Sequence, residues 1–129
     1  RVLADPEPGA GPLPALRAAF AAVPAARWFV APCDLPWLEA RHYGRLQAEL
    51  GTAAAAFARS VRGDEPLVSV WTRRAAATLA AAPAGASMGA ALRIVGAVAV
   101  AMAEDDRAFL NVNTQGDLAV AAAAGEEWR

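Results

Sequence analysis

The chain of 129 residues contains no lysine, one cysteine, one histidine and one tyrosine, and each scarcity narrows what it can do. The lone thiol, Cys33, excludes an internal disulfide and leads us to expect a cytoplasmic protein. A catalytic thiol would want a base beside it, whereas the lone His42 falls nine residues later within a predicted helix. All 12 basic residues are arginine, set against 13 acidic residues for a net charge of −1. No basic run exists, so no nucleic-acid partner is expected. The arginine-only usage accompanies abundant alanine and reads as coding bias. The longest uncharged run, residues 75–92, is interrupted by Pro83, Gly85 and Gly89, too short and broken to cross a bilayer. No membrane association is expected. The chain opens at Arg1, without methionine or leader-like segment, and reads as the later part of a longer protein folded here as one domain, 1–129.

What is present centres on residues 28–36. Trp28, Phe29, Val30 and Ala31 form the apolar run of a strand covered on both faces, predicted to be central in its sheet. Pro32 and Pro36 bracket Cys33, Asp34 and Leu35, so extended backbone stops abruptly. Asp34 therefore falls at the carboxyl end of the strand, the edge where open α/β sheets bind ligands. As an ordinary helix N-cap it would compete with Pro36, which already occupies a favoured helix-start position.

Around this stretch the chain alternates. Val2, Leu3 and Ala4 form a short predicted strand ending in Asp5, followed by a Pro/Gly loop over residues 6–11. Leu13, Leu16, Phe20 and Val23 then recur at helical spacing up to Pro24. Strand, helix and the Trp28 strand would make one parallel βαβ unit. A second helix spans residues 38–50, with His42 packed on its apolar stripe and Gly51 as its stop. A strand at 53–61, a turn at Arg62, Gly63, Asp64 and Glu65, and a strand at 66–71 read as a hairpin. The Arg-Gly-Asp triplet there is turn chemistry. Helices at 73–82 and 87–95 precede a strand at 98–102, and Glu104 to Arg107 reads as a solvent-facing acidic turn. Finally, Asn111 and Asn113 flank Val112 ahead of Thr114 and Asp117, which have capping-box spacing for a helix ending at Gly125. The asparagines could be turn formers. Carboxamides are also neutral oxygen donors near a metal-bound phosphate.

In order, these elements resemble the molybdenum cofactor guanylyltransferase family. The resemblance rests on Asp5 before its loop, Gly11-Pro12-Leu13, Cys33-Asp34-Leu35-Pro36, Pro66-Leu67, and Asn111-Val112-Asn113-Thr114 with Asp117-Leu118. It extends along all 129 residues and matches roughly the last two-thirds of such an enzyme. It implies a three-layer α/β/α Rossmann-like nucleotidyltransferase fold with a mostly parallel sheet, here lacking its amino-terminal part. It implies transfer of GMP from GTP to the phosphate of a molybdopterin-type acceptor, with Mg2+ as cofactor. By position, Asp34 would bind the metal and the GTP phosphates; Asp5 and Gly11 would serve the guanine nucleotide. Asn113, with Asn111, would lie near the metal and the acceptor phosphate. Transient contact with molybdoenzyme maturation proteins is implied as well.

Departures qualify the resemblance. Pro14-Ala15 stands where a glycine often follows Gly-Pro-Leu. Gln115-Gly116 puts glycine into a helical first turn, at a cost of up to ~1 kcal/mol. The family's glycine-rich loop with its arginine and lysine has no counterpart here, so either it precedes Arg1 or it has been lost. A related cytidylyltransferase, another NTP transferase and a non-catalytic α/β binding module remain alternatives.

Overall fold

The computed structural model describes residues 2–126. Helix α1 (Pro12–Ala22) starts with proline at its first turn and Gly11 as N-cap. At φ 81° Gly11 is left-handed, a conformation open to glycine. Strand β1 (Arg27–Val30) and α2 (Ala40–Glu49) follow, then the hairpin of β2 (Ala55–Ser60) and β3 (Gly63–Thr72). Next come α3 (Arg73–Ala80), α4 (Met88–Ile94) and β4 (Val98–Ala101). A 3-10 helix (Ala103–Phe109), kinked at Asp105, leads to α5 (Gln115–Glu126).

The strands form one sheet in the order β1-β3-β2-β4. Alternation along β2 sorts its side chains between two cores: Ala55 and Phe57 join one, Ala56 and Ala58 the other. On the first face lie Leu13, Phe20, Trp71, Leu79 and Leu92, contributed largely by α1, α3 and α4. On the second lie Leu46, Leu50, Val70, Met102 and Phe109, contributed by α2, the sheet and the 3-10 segment. This is the expected three-layer α/β arrangement. Trp71 is fully buried, and its indole N–H is satisfied by Ser69 Oγ at 2.9 Å. Helix α1 is fastened across the first core by Arg17, which donates to the carbonyls of Leu79 (3.1 Å) and Ala82 (2.8 Å) at the end of α3. A cation there meets orphan carbonyls at the negative end of the helix dipole.

The sheet differs from expectation in direction. It is mixed, not mostly parallel: β1/β3 and β3/β2 are antiparallel, and β2/β4 is parallel. The tight hairpin reverses β3 and inserts it between β1 and β2, so β1, β2 and β4 run alike without all being neighbours. Val2 to Ala4 is not a strand, and the expected βαβ unit is absent among the described residues. Strand β1 is consequently an edge, not a central strand, among these residues. It alternates between exposed and half-buried, with Phe29 51% exposed. Helix α5 continues through Gly125 instead of ending there.

One irregularity shapes the site. Phe57 pairs with Ser69, but the next β2 residue, Ala58, pairs with Glu65. Pro66, Leu67 and Val68 therefore bulge from the ladder. Proline, which cannot donate a ladder hydrogen bond, suits such a position.

Candidate functional site

The turn after β1 is held from below and from the side. Leu35 is buried in the second core with Leu46 and Val68. Backbone and side chain of Asp34 both bind the stretch that precedes α5: Val112 N–H donates to the Asp34 carbonyl at 2.9 Å, and Asn111 Nδ2 donates to Asp34 Oδ2 at 3.0 Å. The side-chain bond joins positions 77 residues apart and sets a carboxylate beside a carboxamide. Beside them is a hollow of about 150 Å3 walled by Pro32, Leu67, Val68 and the half-buried Glu65. Sequence reading assigned Glu65 to turn chemistry. Pro66, unusual inside a strand, was the one sign that this part of β3 leaves its ladder.

Asn113 sits differently. Its backbone N–H donates to Asp117 Oδ2 at 3.1 Å, as does that of Thr114 at 2.9 Å, while Asp117 N–H donates to Thr114 Oγ1 at 3.0 Å. This closes the reciprocal cap expected at the start of α5. The bonds to Thr114 and to the two backbone amides lower the Asp117 carboxyl from its ordinary value. The Asn113 side chain is exposed and makes no hydrogen bond among the described residues. Asp5 and Gly11 lie in the loop before α1. Asp5 Oδ1 accepts the Glu7 backbone N–H at 3.0 Å. Gly11 borders a second hollow of about 350 Å3, between Pro12, Pro66-Leu67 and the segment from Gly85 to Met88, with no charged residue in its lining. The two hollows share Pro66 and Leu67. The structure thus brings Asp34 and Asn111 into contact and places Gly11 across the β3 bulge from them.

A third hollow, of about 380 Å3, opens where the 3-10 segment meets α2. In the acidic turn expected to face solvent, Glu104 does so, 61% exposed, but Asp105 turns inward. The kink carries Asp105 onto His42, whose Nε2 lies 2.7 Å from Asp105 Oδ2. Arg41 adds an ion pair to the same oxygen at 2.5 Å, and Arg45 pairs with Glu104. His42 is buried, as its place on the apolar stripe predicted, and its Nδ1 accepts the Glu39 backbone N–H at 2.9 Å. The other ring nitrogen, Nε2, is the one aimed at Asp105. Burial raises the Asp105 carboxyl, but the bonds from His42 and Arg41 outweigh it and hold the group below its ordinary value. Every charge in this cluster is answered by a neighbour.

The fold has counterparts in known proteins. The chain matches the family model described as "MobA-like NTP transferase domain" over residues 1–100. It belongs to that family. As a MobA-like domain it also resembles solved structures. Molybdopterin-guanine dinucleotide biosynthesis protein A from Archaeoglobus fulgidus aligns with a TM-score of 0.70 at 20% identity, over 91% of this chain and 64% of that one. A putative protein from Aquifex aeolicus VF5 aligns with a TM-score of 0.67 at 21% identity, over 80% of this chain and 56% of that one. These likenesses carry the fold. The MobA-like chain spans less than two-thirds of either structure. No curated protein matches it.

Proposed function

We propose that this MobA-like domain is the later part of a Mg2+-dependent guanylyltransferase that moves GMP from GTP to the phosphate of a molybdopterin-type acceptor. The observation carrying this reading is Asp34: a half-buried carboxylate at the carboxyl end of β1, steadied by Asn111 and facing a hollow. No arginine or histidine forms an ion pair with it among the described residues.

The donor set fits magnesium. Among the described residues no three His, Cys, Asp or Glu side chains are grouped to hold a metal ion. Mg2+ needs no such cage, because one or two carboxylates, phosphate oxygens and water complete its shell. Asp34 would hold it, and the ion would supply positive charge to neutralise that on the phosphates.

The chain's remaining task is placement. A phosphate monoester has a second pKa of about 6, so it is largely dianionic at neutral pH and attacks without a general base. Its oxygen bonds to the α-phosphorus of GTP while the α–β bridging bond breaks. Asn111 and Asn113 are neutral carboxamides, able to donate to the acceptor phosphate without adding negative charge. Asp5 serves the guanine, whose ring N–H and exocyclic amine suit a carboxylate, with Gly11 leaving room for the nucleotide. The finer assignments to GTP, to the acceptor and to transient molybdoenzyme maturation partners rest on the family resemblance.

Calorimetry with GTP, CTP and ATP, each with and without Mg2+, tests the reading. Mg2+-dependent binding selective for GTP supports it; selective CTP binding would redirect it to a cytidylyltransferase. The chain of 129 residues alone is expected to retain little or no transfer activity, since it has neither a glycine-rich phosphate loop nor a lysine. Pyrophosphate release by the parent protein supplies the turnover measurement.

A further inference from the structure

We infer that Glu65 is a second carboxylate for the divalent cation held by Asp34, an assignment that rests on the reading of Asp34 given above. Glu65 reaches the hollow of Asp34 and Asn111 because of the β3 bulge. Its backbone still pairs with Ala58, while the next three residues leave the ladder and form one wall. The carboxylate is already oriented. Ser60 Oγ, in a residue only 6% exposed, donates to Glu65 Oε1 at 2.9 Å and itself accepts the Arg62 backbone N–H at 3.1 Å. One oxygen is thus anchored to the hairpin, and the second keeps its acceptor capacity.

Charge points the same way. Neither Glu65 nor Asp34 has an ion-pair partner among the described residues, and the hollow they line holds no arginine or histidine. Asp34 and Glu65, both half-buried, line one small hollow, and a hard divalent ion with oxygen ligands suits two acidic residues with no cationic side chain beside them. A pair of carboxylates also falls within what Mg2+ takes from protein, leaving the rest of its shell to phosphate and water. The bulge and the Ser60 bond thereby acquire a purpose that a solvent-facing turn would not need.

The test is Mn2+ binding to the 129-residue chain at neutral pH, followed by loss of the free-ion electron spin resonance signal. Glu65→Gln keeps an acceptor for Ser60 and removes only the charge. It is expected to raise the Mn2+ Kd about tenfold, with Asp34→Asn raising it further and Ser60→Ala two- to threefold. Thermal midpoints should stay close to that of the unaltered chain. In the unaltered chain, where no substitution can disturb folding, Mn2+ should selectively broaden the Glu65 side-chain NMR resonances. If Glu65→Gln binds Mn2+ normally while Asp34→Asn does not, or if Glu65 escapes broadening, this assignment fails and the reading of Asp34 survives. If the unaltered chain takes up no Mn2+, both fall.

Discussion

Asp34 and Asp105 occupy equivalent places on two strands that run the same way: each lies four residues beyond the end of its strand, β1 or β4. Their surroundings are opposite. Asp105 is spent, its carboxylate 22% exposed and bonded to His42 and Arg41. Asp34 accepts one side-chain hydrogen bond, from Asn111, and faces a hollow. A carboxylate engaged by a guanidinium and an imidazole fastens α2 to the 3-10 segment. A carboxylate with no ion-pair partner among the described residues, set beside a carboxamide, is free to take a ligand. Acidity and position at the strand end do not separate the two; the guanidinium beside Asp105 does.

The sharpest way to break this contrast is exchange at one atom. Asp34→Asn in the parent protein is expected to reduce Mg2+-dependent pyrophosphate release by about 10²–10³ while leaving the thermal midpoint nearly unchanged. Asn111→Ala leaves the carboxylate but not its steadying partner, and should weaken Mg2+-dependent turnover about tenfold. Asp105→Asn should do the reverse, costing about 1–3 kcal/mol in urea unfolding with little change in turnover. Turnover lost with Asp105 and kept without Asp34 would invert the assignment.

Acidity provides a finer comparison. The folded-state carboxyl of Asp105 lies below its ordinary value near 3.8, so its contribution to stability is complete above that pH. It is lost as pH falls through the lower, folded-state value. Urea midpoints between pH 6 and pH 2 should therefore fall less steeply for Asp105→Asn than for the unaltered chain. Tyr43, whose hydroxyl donates to the Val30 carbonyl at 2.6 Å, tests the alkaline side. Burial raises it to about 12 from 10.0, so the unfolded chain ionises first and stability declines as pH rises across that interval. Tyr43→Phe should remove this decline and cost about 0.5–1.5 kcal/mol at neutral pH, the smallest effect of the set.

Much of this fold was legible in the residues. Leu13, Leu16 and Phe20 at helical spacing mark α1, and the turn before Pro66 marks a hairpin. Thr114 and Asp117 mark the cap of α5, because capping depends on neighbours in sequence. Relations across the chain were less visible. Val2 to Ala4 has strand composition, yet a strand needs a ladder partner, which composition does not specify. The direction of β1 depended on which strand it met, and a hairpin inserted beside it made that pairing antiparallel. Asp105 looked like an exposed turn residue because its partner, His42, is 63 residues away. Asp34 and Asn111 could be singled out by type and by family resemblance. Their hydrogen bond could not.

The bulge at residues 66–68 also bears on how such a domain diversifies. On one side of it, the tight hairpin turn fixes the pairing of Asp64 and Glu65 with β2; on the other, Ser69 to Thr72 are locked between β1 and β2. The three residues in between obey neither constraint. Length can therefore change here by one or two residues without shifting either half of the hairpin, while a single-residue insertion elsewhere in β3 would turn every later side chain to the wrong face. Because Pro66 and Leu67 border both the hollow of Asp34 and that of Gly11, small insertions at this point would reshape the two hollows together and leave the cores intact.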